Sequence, residues 1–282
     1  MPELSIVTVC YNDSEGLNHT LESCLAIREL AGLSFEHIVV DSSPAAHAPV
    51  LSDPRFTHVK TIPQVPPQGI YPAINLGCEA AKGTWQWHLN AGDALRDAQA
   101  LRNALTCHPE TDLVFTPVFQ GLKAEDWLVT PIDLKFRHNL LGINKVQHQG
   151  CLIKTKSFRQ LGGFDTTYRI AADYDFFVRV ENSDLTTVCH QRPFAWFAFG
   201  GASQKRVFEG LRETRQIARK LSLCTDERLR ASLIYWSHHI GFALLSGTFR
   251  HPRLHARVRQ IANGAKRLIF GAKRGSRHLR AL

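Results

Sequence analysis

An isolated carboxylate follows the most regular stretch of the sequence. Residues 85–89 (WQWHL) alternate between apolar and polar side chains, as in a strand with two different faces, and residues 90–93 (NAGD) then turn out of it. Ligands of open α/β sheets bind at the carboxyl ends of the strands. We therefore expect Asp93 to be exposed, rigidly held and free to bind a metal ion. The alternative is an aspartate that serves only the turn.

A second carboxylate ends another apolar run. Residues 35–40 (FEHIVV) predict a buried strand, and Asp41 follows it directly. An aspartate in this place can accept hydrogen bonds from a ribose or from the edge of a base, which makes Asp41 a candidate nucleotide ligand. The alternative is a turn aspartate, which is common.

The elements that must position these carboxylates follow one another in α/β order. Residues 4–10 (LSIVTVC) form a continuous apolar run, typical of a strand that is covered on both faces. The predicted order is strand, helix, strand, strand, helix, strand, which indicates a mostly parallel sheet. The corresponding ranges are 4–10, 15–30, 35–40, 57–62, 69–83 and 85–89, followed by helices at 98–107 and 172–180, strands at 113–119 and 147–154, and an irregular stretch at 120–146.

Charge divides the chain at about residue 203. Residues 204–282 carry 18 Lys and Arg against 4 Asp and Glu, whereas residues 1–203 carry 16 against 21, within a total net charge of +9. This asymmetry suggests an anionic partner for the basic part. The seven cysteines are scattered and lack CxxC pairs, which favours a cytosolic protein over a disulfide framework or a zinc site. We expect no signal peptide and no transmembrane helix.

Four motifs in the same order resemble those of the family 2 glycosyltransferases, which have the GT-A fold. They are residues 8–12 (TVCYN), 39–43 (VVDSS), 69–93 (GIYPAIN to NAGD) and 148–176, which include HQGC, GGFD and IAADYDF. The resemblance covers roughly residues 3–203 and is closest to the branch that builds colanic-acid-like and amylovoran-like exopolysaccharides. It implies an α/β, Rossmann-like, mostly parallel mixed sheet flanked by helices, and sugar transfer with inversion.

The resemblance also implies which residues bind the donor. Tyr11 would offer a flat face to the base, Asp41 would hold the nucleoside, and Asn75 would contact the donor. His148 would touch the diphosphate. Asp93 would hold Mn²⁺ or Mg²⁺, an ion that bridges the diphosphate oxygens. The alternatives are a tyrosine packed on the sheet edge for Tyr11 and a buried, hydrogen-bonded imidazole for His148.

Asp173 matches the acid that is the general base of this family. In that role it would take the proton of an acceptor hydroxyl as the oxygen attacks the anomeric carbon. The alternative is a carboxylate that only caps the helix. Asp175 lies two residues on and faces elsewhere on a helix, so we expect it to pair with Arg179, at i+4, in a structural role.

Several acids of the family pattern are replaced in this chain. Val65, Pro67 and Pro72 stand where the branch has acids, and residues 42–46 (SSPAA) lack the second aspartate that usually follows Asp41. These replacements predict a different donor sugar or nucleotide, or weaker catalysis. They also keep a second function open, that of a degenerate, non-catalytic sugar-nucleotide-binding or assembly protein.

We predict two domains, a GT-A nucleotide-sugar transferase domain at residues 1–203 and a basic amphipathic helical region at residues 204–282. Such a region suits an anionic membrane surface, where lipid-linked acceptors lie. The alternative is a helical cap that packs on the first domain with a solvated basic face. The clearest apolar line recurs at spacings of four, three, four and three: Leu254, Val258, Ile261, Ala265 and Leu268.

The sequence therefore predicts an inverting, metal-dependent glycosyltransferase. We expect it to move a sugar from a nucleotide sugar, UDP-linked, to a hydroxyl of a bacterial glycan or lipid-linked acceptor. We expect it in the cytoplasm, peripheral at the inner face of the plasma membrane. A nucleic-acid-binding protein is a less favoured alternative, because the basic part lacks interleaved aromatic residues and the rest is acidic.

Overall fold

The computed structural model describes residues 1–30, 32–44, 48–123, 126–129, 146–198 and 200–220. The strands are β1 Leu4–Cys10, β2 Phe35–Asp41, β3 Val59–Pro63, β4 Trp85–Asn90, β5 Ala94–Leu95, β6 Leu113–Phe115, β7 Phe119–Lys123, β8 Asp126–Val129, β9 Cys151–Lys154, β10 Thr187–Cys189 and β11 Ala195–Ala198. The helices are α1 Ser14–Cys24, α2 Ala48–Leu51, α3 Ile70–Ala80, α4 Ala98–Thr106, α5 Thr155–Gln160, α6 Ala172–Glu181, α7 Ala202–Lys205 and α8 Val207–Lys220. Short 3₁₀ helices lie at Leu25–Glu29, Pro54–Phe56 and His148–Gly150.

The larger of two sheets contains seven strands within the described residues, in the order β10-β6-β9-β4-β1-β2-β3. The neighbours β3, β2, β1 and β4 are parallel, as are β6 and β10, whereas β9 is antiparallel to both β4 and β6. The predicted α/β fold with a mostly parallel mixed sheet is therefore confirmed. Every residue of β1 is buried, because both faces of the sheet are covered.

Each face of the larger sheet buries its own core. On one face, residues of α3 and α6 pack with Val7 and Val40, and on the other face α4 packs with Trp87. α3 lies very close to the sheet at Gly77, where an added Cβ would collide with Val7 and lie 3.1 Å from Val40 Cγ2. A residue without a side chain is what allows this approach.

A smaller sheet has the order β5-β11-β7-β8. β11 pairs antiparallel to β5 and parallel to β7. Because β5 follows the turn after β4 directly, this pairing brings the end of β11 next to the carboxyl end of β4. No helix in the described part of the chain has the length and apolar character needed to span a membrane.

Several boundaries differ from the sequence prediction. Of the strand predicted at 147–154, residues 148–150 form a 3₁₀ helix and β9 begins at Cys151. α1 ends at Cys24, and the residues up to Glu29 continue as a 3₁₀ helix. The strand predicted at 113–119 is interrupted between β6 and β7, because Pro117 has no N–H to donate to a ladder. Within the stretch predicted to be irregular, residues 120–123 and 126–129 are in strands.

Residues 221–282, which include the predicted apolar line of the basic region, lie outside the described residues, as do residues 130–145. The division at residue 203 stays a prediction. Of the basic part, α7 and α8 are described.

Candidate active site

Strand register brings three of the predicted residues to one edge of the larger sheet. β1 pairs in parallel with both β2 and β4, and the three strands end at the same height. Tyr11 follows β1, Asp41 is the last residue of β2, and Asp93 lies in the turn after β4. In an open α/β sheet this carboxyl edge is where ligands bind.

The turns after β1 and β2 are tied together. Tyr11 is 56% exposed, which leaves its ring accessible to a ligand. Asp41 is buried, and its Oδ1 accepts the N–H of Ser43 at 3.0 Å, while Ser43 Oγ accepts the N–H of Asn12 at 2.9 Å. Asp41 therefore shapes the turn that lies beside Tyr11. Its contact with a nucleoside stays a prediction.

Asp93 is buried, and the prediction that it is exposed and free is wrong. The residue is 3% exposed. Its Oδ1 accepts the N–H of Ala198 at 3.0 Å, and its Oδ2 accepts the N–H of Asn90 at 3.1 Å and the side-chain amide of Gln149 at 2.8 Å. Burial raises the pKa of Asp93, while these three hydrogen bonds act in the opposite direction.

The oxygen atoms around Asp93 fit a hard divalent cation. Asn90 Oδ1 and Gln149 Oε1 are buried acceptors without a hydrogen-bond partner among the described residues, and both residues donate to the Asp93 carboxylate. A carboxylate with amide oxygens is the kind of ligand set that Mg²⁺ and Mn²⁺ prefer. The described residues contain no group of three His, Cys, Asp or Glu able to hold a metal, so such an ion would also need oxygens of the substrate.

His148 lies between the turn at Asp93 and the first turn of α6. Its Nδ1 is 3.6 Å from Asp173 Oδ2, and its Nε2 is 3.5 Å from Asn90 Nδ2. The side chain is buried. His148 therefore connects the turn that contains Asp93 to Asp173, the predicted base.

Asp173 lies in the first turn of α6, and other residues contact both oxygens of its carboxylate. Its Oδ1 accepts the N–H of Tyr174 at 2.8 Å. Tyr71 Oη lies 3.1 Å from the same oxygen and 2.8 Å from Ile170 O, and its one proton can go to either acceptor. The Asp173 side chain is 13% exposed. The carboxylate is thus held by several groups, and a small part of the side chain remains exposed to solvent.

Tyr71 is a site residue that the sequence motifs do not identify. It is buried, and burial together with the charge of Asp173 raises the pKa of its hydroxyl well above the ordinary value. The phenol therefore stays protonated and acts as a donor. The GIY motif at residues 69–71 draws attention to Tyr71. It does not show that Tyr71 contacts Asp173, which lies 102 residues later in the chain.

Asp175 does not join the site. Its Oδ2 accepts Arg179 Nε at 2.8 Å, and the same guanidinium donates to Leu161 O at 2.6 Å and to Gly163 O at 2.7 Å. The predicted structural pair is confirmed. It fixes α6 to the turn that follows α5.

Asn75 holds a turn instead of facing the other candidates. Its Nδ2 donates to Phe164 O at 2.8 Å, and its Oδ1 accepts the N–H of Phe164 at 3.0 Å. The turn contains Gly163 at φ +71°, a conformation that favours glycine. The contact of Asn75 with a donor stays a prediction.

Two of the three replaced acid positions lie together. Val65 and Pro72 line one open groove, which Asn75 and Thr166 also border. Two positions at which the resembling branch has acids therefore border the same surface in this chain.

Comparisons with known proteins agree with the resemblance, and the range matched by the family model contains the first three of the four motifs. Residues 5–131 match the family model Glycosyl transferase family 2. An uncharacterized glycosyltransferase of Mycobacterium tuberculosis is 29% identical over 185 residues, covering 63% of this chain and 68% of the relative. A PGL/p-HBAD biosynthesis glycosyltransferase of Mycobacterium bovis is 26% identical over 263 residues, covering 88% of this chain and 96% of the relative. The chain is a glycosyltransferase.

Solved structures show the same fold. S. aureus TarS 1–349 in complex with UDP superimposes with a TM-score of 0.57 at 15% identity, covering 99% of this chain and 93% of that chain. A longer S. aureus TarS chain superimposes with a TM-score of 0.58 at 16% identity, and the glycosyltransferase spans 43% of its length. The fold of the glycosyltransferase is therefore GT-A.

The family match separates the candidate residues into two groups. Its range, 5–131, contains Tyr11, Asp41, Asn75 and Asp93. His148 and Asp173 lie beyond it. In the glycosyltransferase His148 contacts both Asp173 and Asn90, the last residue of β4, and so connects Asp173 to the turn that contains Asp93.

Proposed function

We propose that this glycosyltransferase moves a sugar, with inversion at the anomeric carbon, from a UDP-linked donor to a hydroxyl of a bacterial glycan or lipid-linked acceptor. The observation that carries the proposal is the position of Asp173. It lies beside His148, which also contacts the turn at the carboxyl end of β4. A transfer from a nucleotide sugar needs a base next to the ligand-binding edge of the sheet.

The reaction is a single displacement. The oxygen of the acceptor hydroxyl forms a bond to the anomeric carbon while the bond from that carbon to the diphosphate oxygen breaks. The hydroxyl proton passes to Asp173, and the nucleoside diphosphate leaves with the electron pair of the broken bond. Because attack and departure are on opposite faces, the configuration inverts.

The neighbours of Asp173 assign a role to each of its oxygens. Oδ1 is fixed by the N–H of Tyr174 and lies within reach of the Tyr71 hydroxyl. Oδ2 faces His148. We assign the proton transfer to Oδ2, because this oxygen faces His148, which also contacts the carboxyl end of β4.

The donor would bind along the carboxyl edge of the sheet. The accessible ring of Tyr11 is available for stacking on the base, beside the turn that Asp41 shapes. The complexes of TarS with UDP and with UDP-GlcNAc support a uridine nucleotide. Asp93, with the oxygens of Asn90 and Gln149, would hold Mn²⁺ or Mg²⁺, which supplies positive charge to the leaving diphosphate.

Two observations bear on the acceptor. The motifs resemble those of exopolysaccharide-building enzymes, and the relative from Mycobacterium bovis is named for PGL/p-HBAD biosynthesis. We propose a glycan or lipid-linked acceptor at the inner face of the plasma membrane, where the basic C-terminal region would bind anionic lipid.

A panel of UDP-, GDP- and dTDP-sugars with Mn²⁺ tests the donor. We expect UDP-sugars to raise the melting temperature and to be hydrolysed slowly without an acceptor. At about 100 times Kd, a ligand stabilises the folded state by about 2.7 kcal/mol. Stabilisation by none of the donors would refute the proposal.

The same panel separates the enzyme from the second candidate, a non-catalytic sugar-nucleotide binder. The replaced acids at Val65, Pro67 and Pro72 favour that candidate. Donor binding without hydrolysis, and without transfer to any acceptor, would establish it.

A further inference from the structure

One face of α8 packs on the segment that precedes α6. Gly210, Glu213 and Ile217 are three and four residues apart and so lie on the same side of the helix. An added Cβ at Gly210 would lie 2.9 Å from Ile170 Cγ2, and Ile217 is fully buried in the core that contains α6. α8 is therefore tightly docked at this place.

Glu213 binds three successive backbone N–H groups in that segment. The residue is 6% exposed. Its Oε1 accepts the N–H of Arg169 at 2.8 Å, and its Oε2 accepts those of Ile170 at 2.8 Å and Ala171 at 2.9 Å. Hydrogen bonds to a carboxylate are strong, and a negative charge at the start of a helix is favourable. Together they hold the segment in one conformation.

The segment held by Glu213 leads directly into the site. Tyr71 Oη lies within hydrogen-bond distance of both Ile170 O and Asp173 Oδ1. Ala171 O accepts the N–H of Asp175, so the first turn of α6 continues from the same residues. A shift of residues 169–171 would move Asp173 relative to Tyr71 and His148.

We propose that Glu213 is a positioning residue that holds Asp173 in the geometry needed for transfer, and that α8 thereby belongs to the catalytic unit. The proposal rests on the proposed function, because it takes Asp173 as the base. Glu213 would then affect catalysis although it lies in the basic part of the chain, outside the four family motifs.

The test variant is Glu213→Gln, which keeps the size of the side chain but cannot accept hydrogen bonds at both ends. We expect kcat to fall about 10- to 100-fold, since displacements near 1 Å can reduce rates about 10²-fold. Donor affinity should not change. Amide hydrogen exchange at residues 169–171 should become faster, because their N–H groups lose an acceptor.

Glu209→Gln is the matched control. Glu209 lies on the same helix, 3.6 Å from Arg206, and its side chain is partly exposed. In Glu209→Gln we expect kcat, and amide exchange at residues 169–171, to be the same as in the wild type. An unchanged kcat in Glu213→Gln would overturn the proposal, and so would an equal loss in Glu209→Gln or a parallel loss of donor affinity in Glu213→Gln.

Two further measurements keep the test decisive. If Glu213→Gln does not fold, Glu213→Asp retains the charge with a shorter reach, and a wild-type kcat in that variant would overturn the proposal.

The second measurement is amide exchange, which needs no substrate and so tests the role of Glu213 separately from sugar transfer. If the wild type transfers sugar from no donor, the proposed function fails by itself, whereas unchanged exchange at residues 169–171 in Glu213→Gln rejects the role of Glu213.

Discussion

Two aspartates in the first turn of α6 have different partners, and we therefore assign them different roles. Asp173 is partly exposed and lies beside Tyr71 and His148. Asp175 is buried and bound to Arg179, which ties α6 to the turn after α5. Side chains two residues apart on a helix do not face each other, so one turn can serve chemistry and stability separately.

Asp173→Asn keeps the size of the side chain but cannot take a proton. We expect turnover to fall about 10²–10⁴-fold, the usual contribution of a positioned base. Donor affinity, measured by calorimetry, should remain. If the variant instead loses donor affinity, Asp173 belongs to the donor site, and if it transfers sugar at the wild-type rate, the base is another residue.

Asp175→Asn is the control for that experiment, because we expect it to lower stability and to leave turnover unchanged. The change weakens a hydrogen bond to a charged group, which contributes about 1.5–3 kcal/mol to stability. We therefore expect a lower melting temperature, with turnover near that of the wild type wherever the variant is folded.

Asp93→Asn tests the metal ion without removing the side chain. We expect Mn²⁺, added in the presence of UDP, to raise the melting temperature of the wild type and not that of the variant. Asp97→Asn is the control, because Asp97 caps α4 through the N–H of Ala100 and asparagine caps equally well. If Mn²⁺ raises the melting temperature of Asp93→Asn as much as that of the wild type, the ion does not bind at Asp93.

The surroundings of Asp93 show where sequence reasoning ends. A carboxylate after a strand is recognisable from a few neighbouring residues. Its burial is not, because the donors that enclose it, Gln149 and Ala198, lie 56 and 105 residues later. The same holds for Tyr71, whose partner is known only once α6 has been placed beside α3.

Among the elements, the strands predicted best are those covered on both faces. β1 and most of β2 read as apolar runs, since nearly every position along them is buried. β4 alternates in sequence, but its polar residues Gln86 and His88 are buried as well. The strands of the smaller sheet carry no such pattern. β5 and β11 are two and four residues long, and their pairing joins segments about a hundred residues apart, which a local pattern does not contain.

Gly77→Ala tests the close packing of α3 on the sheet. In an exposed helix this change is stabilising, by up to about 1 kcal/mol. Here the added Cβ would collide with Val7, so α3 has to shift, and we expect a loss of about 1–3 kcal/mol in the free energy of unfolding. Urea denaturation measures it.

Glu79→Ala, on the exposed side of the same helix, is the comparison for Gly77→Ala. We expect a change within about 0.5 kcal/mol. A Gly77→Ala variant more stable than the wild type would show that α3 lies farther from β1 than the structure places it.

For the whole molecule, α8 complicates the use of truncations. The charge balance places the predicted division at residue 203, but Glu213 and Ile217 both pack on residues of the first part. A chain that ends at residue 203 loses these contacts together with the basic region. Any defect in such a chain therefore has two causes.

A chain that ends after Lys220 avoids that ambiguity. Residues 221–282 still contain 12 Lys and Arg against 2 Asp and Glu, so most of the basic charge is removed while α8 is kept. Basic residues near an anionic membrane contribute about 1 kcal/mol each, and added salt weakens this attraction.

We expect the full chain to float with vesicles that contain anionic lipid, less so as the salt concentration rises, and not with neutral vesicles. The chain that ends after Lys220 should stay with the soluble fraction while retaining donor binding, because the carboxyl edge of the sheet is intact. Equal flotation of the two chains would show that residues 221–282 do not bind membranes. Salt-dependent binding of the full chain to random DNA, with no flotation, would favour a nucleic-acid partner for the basic region instead.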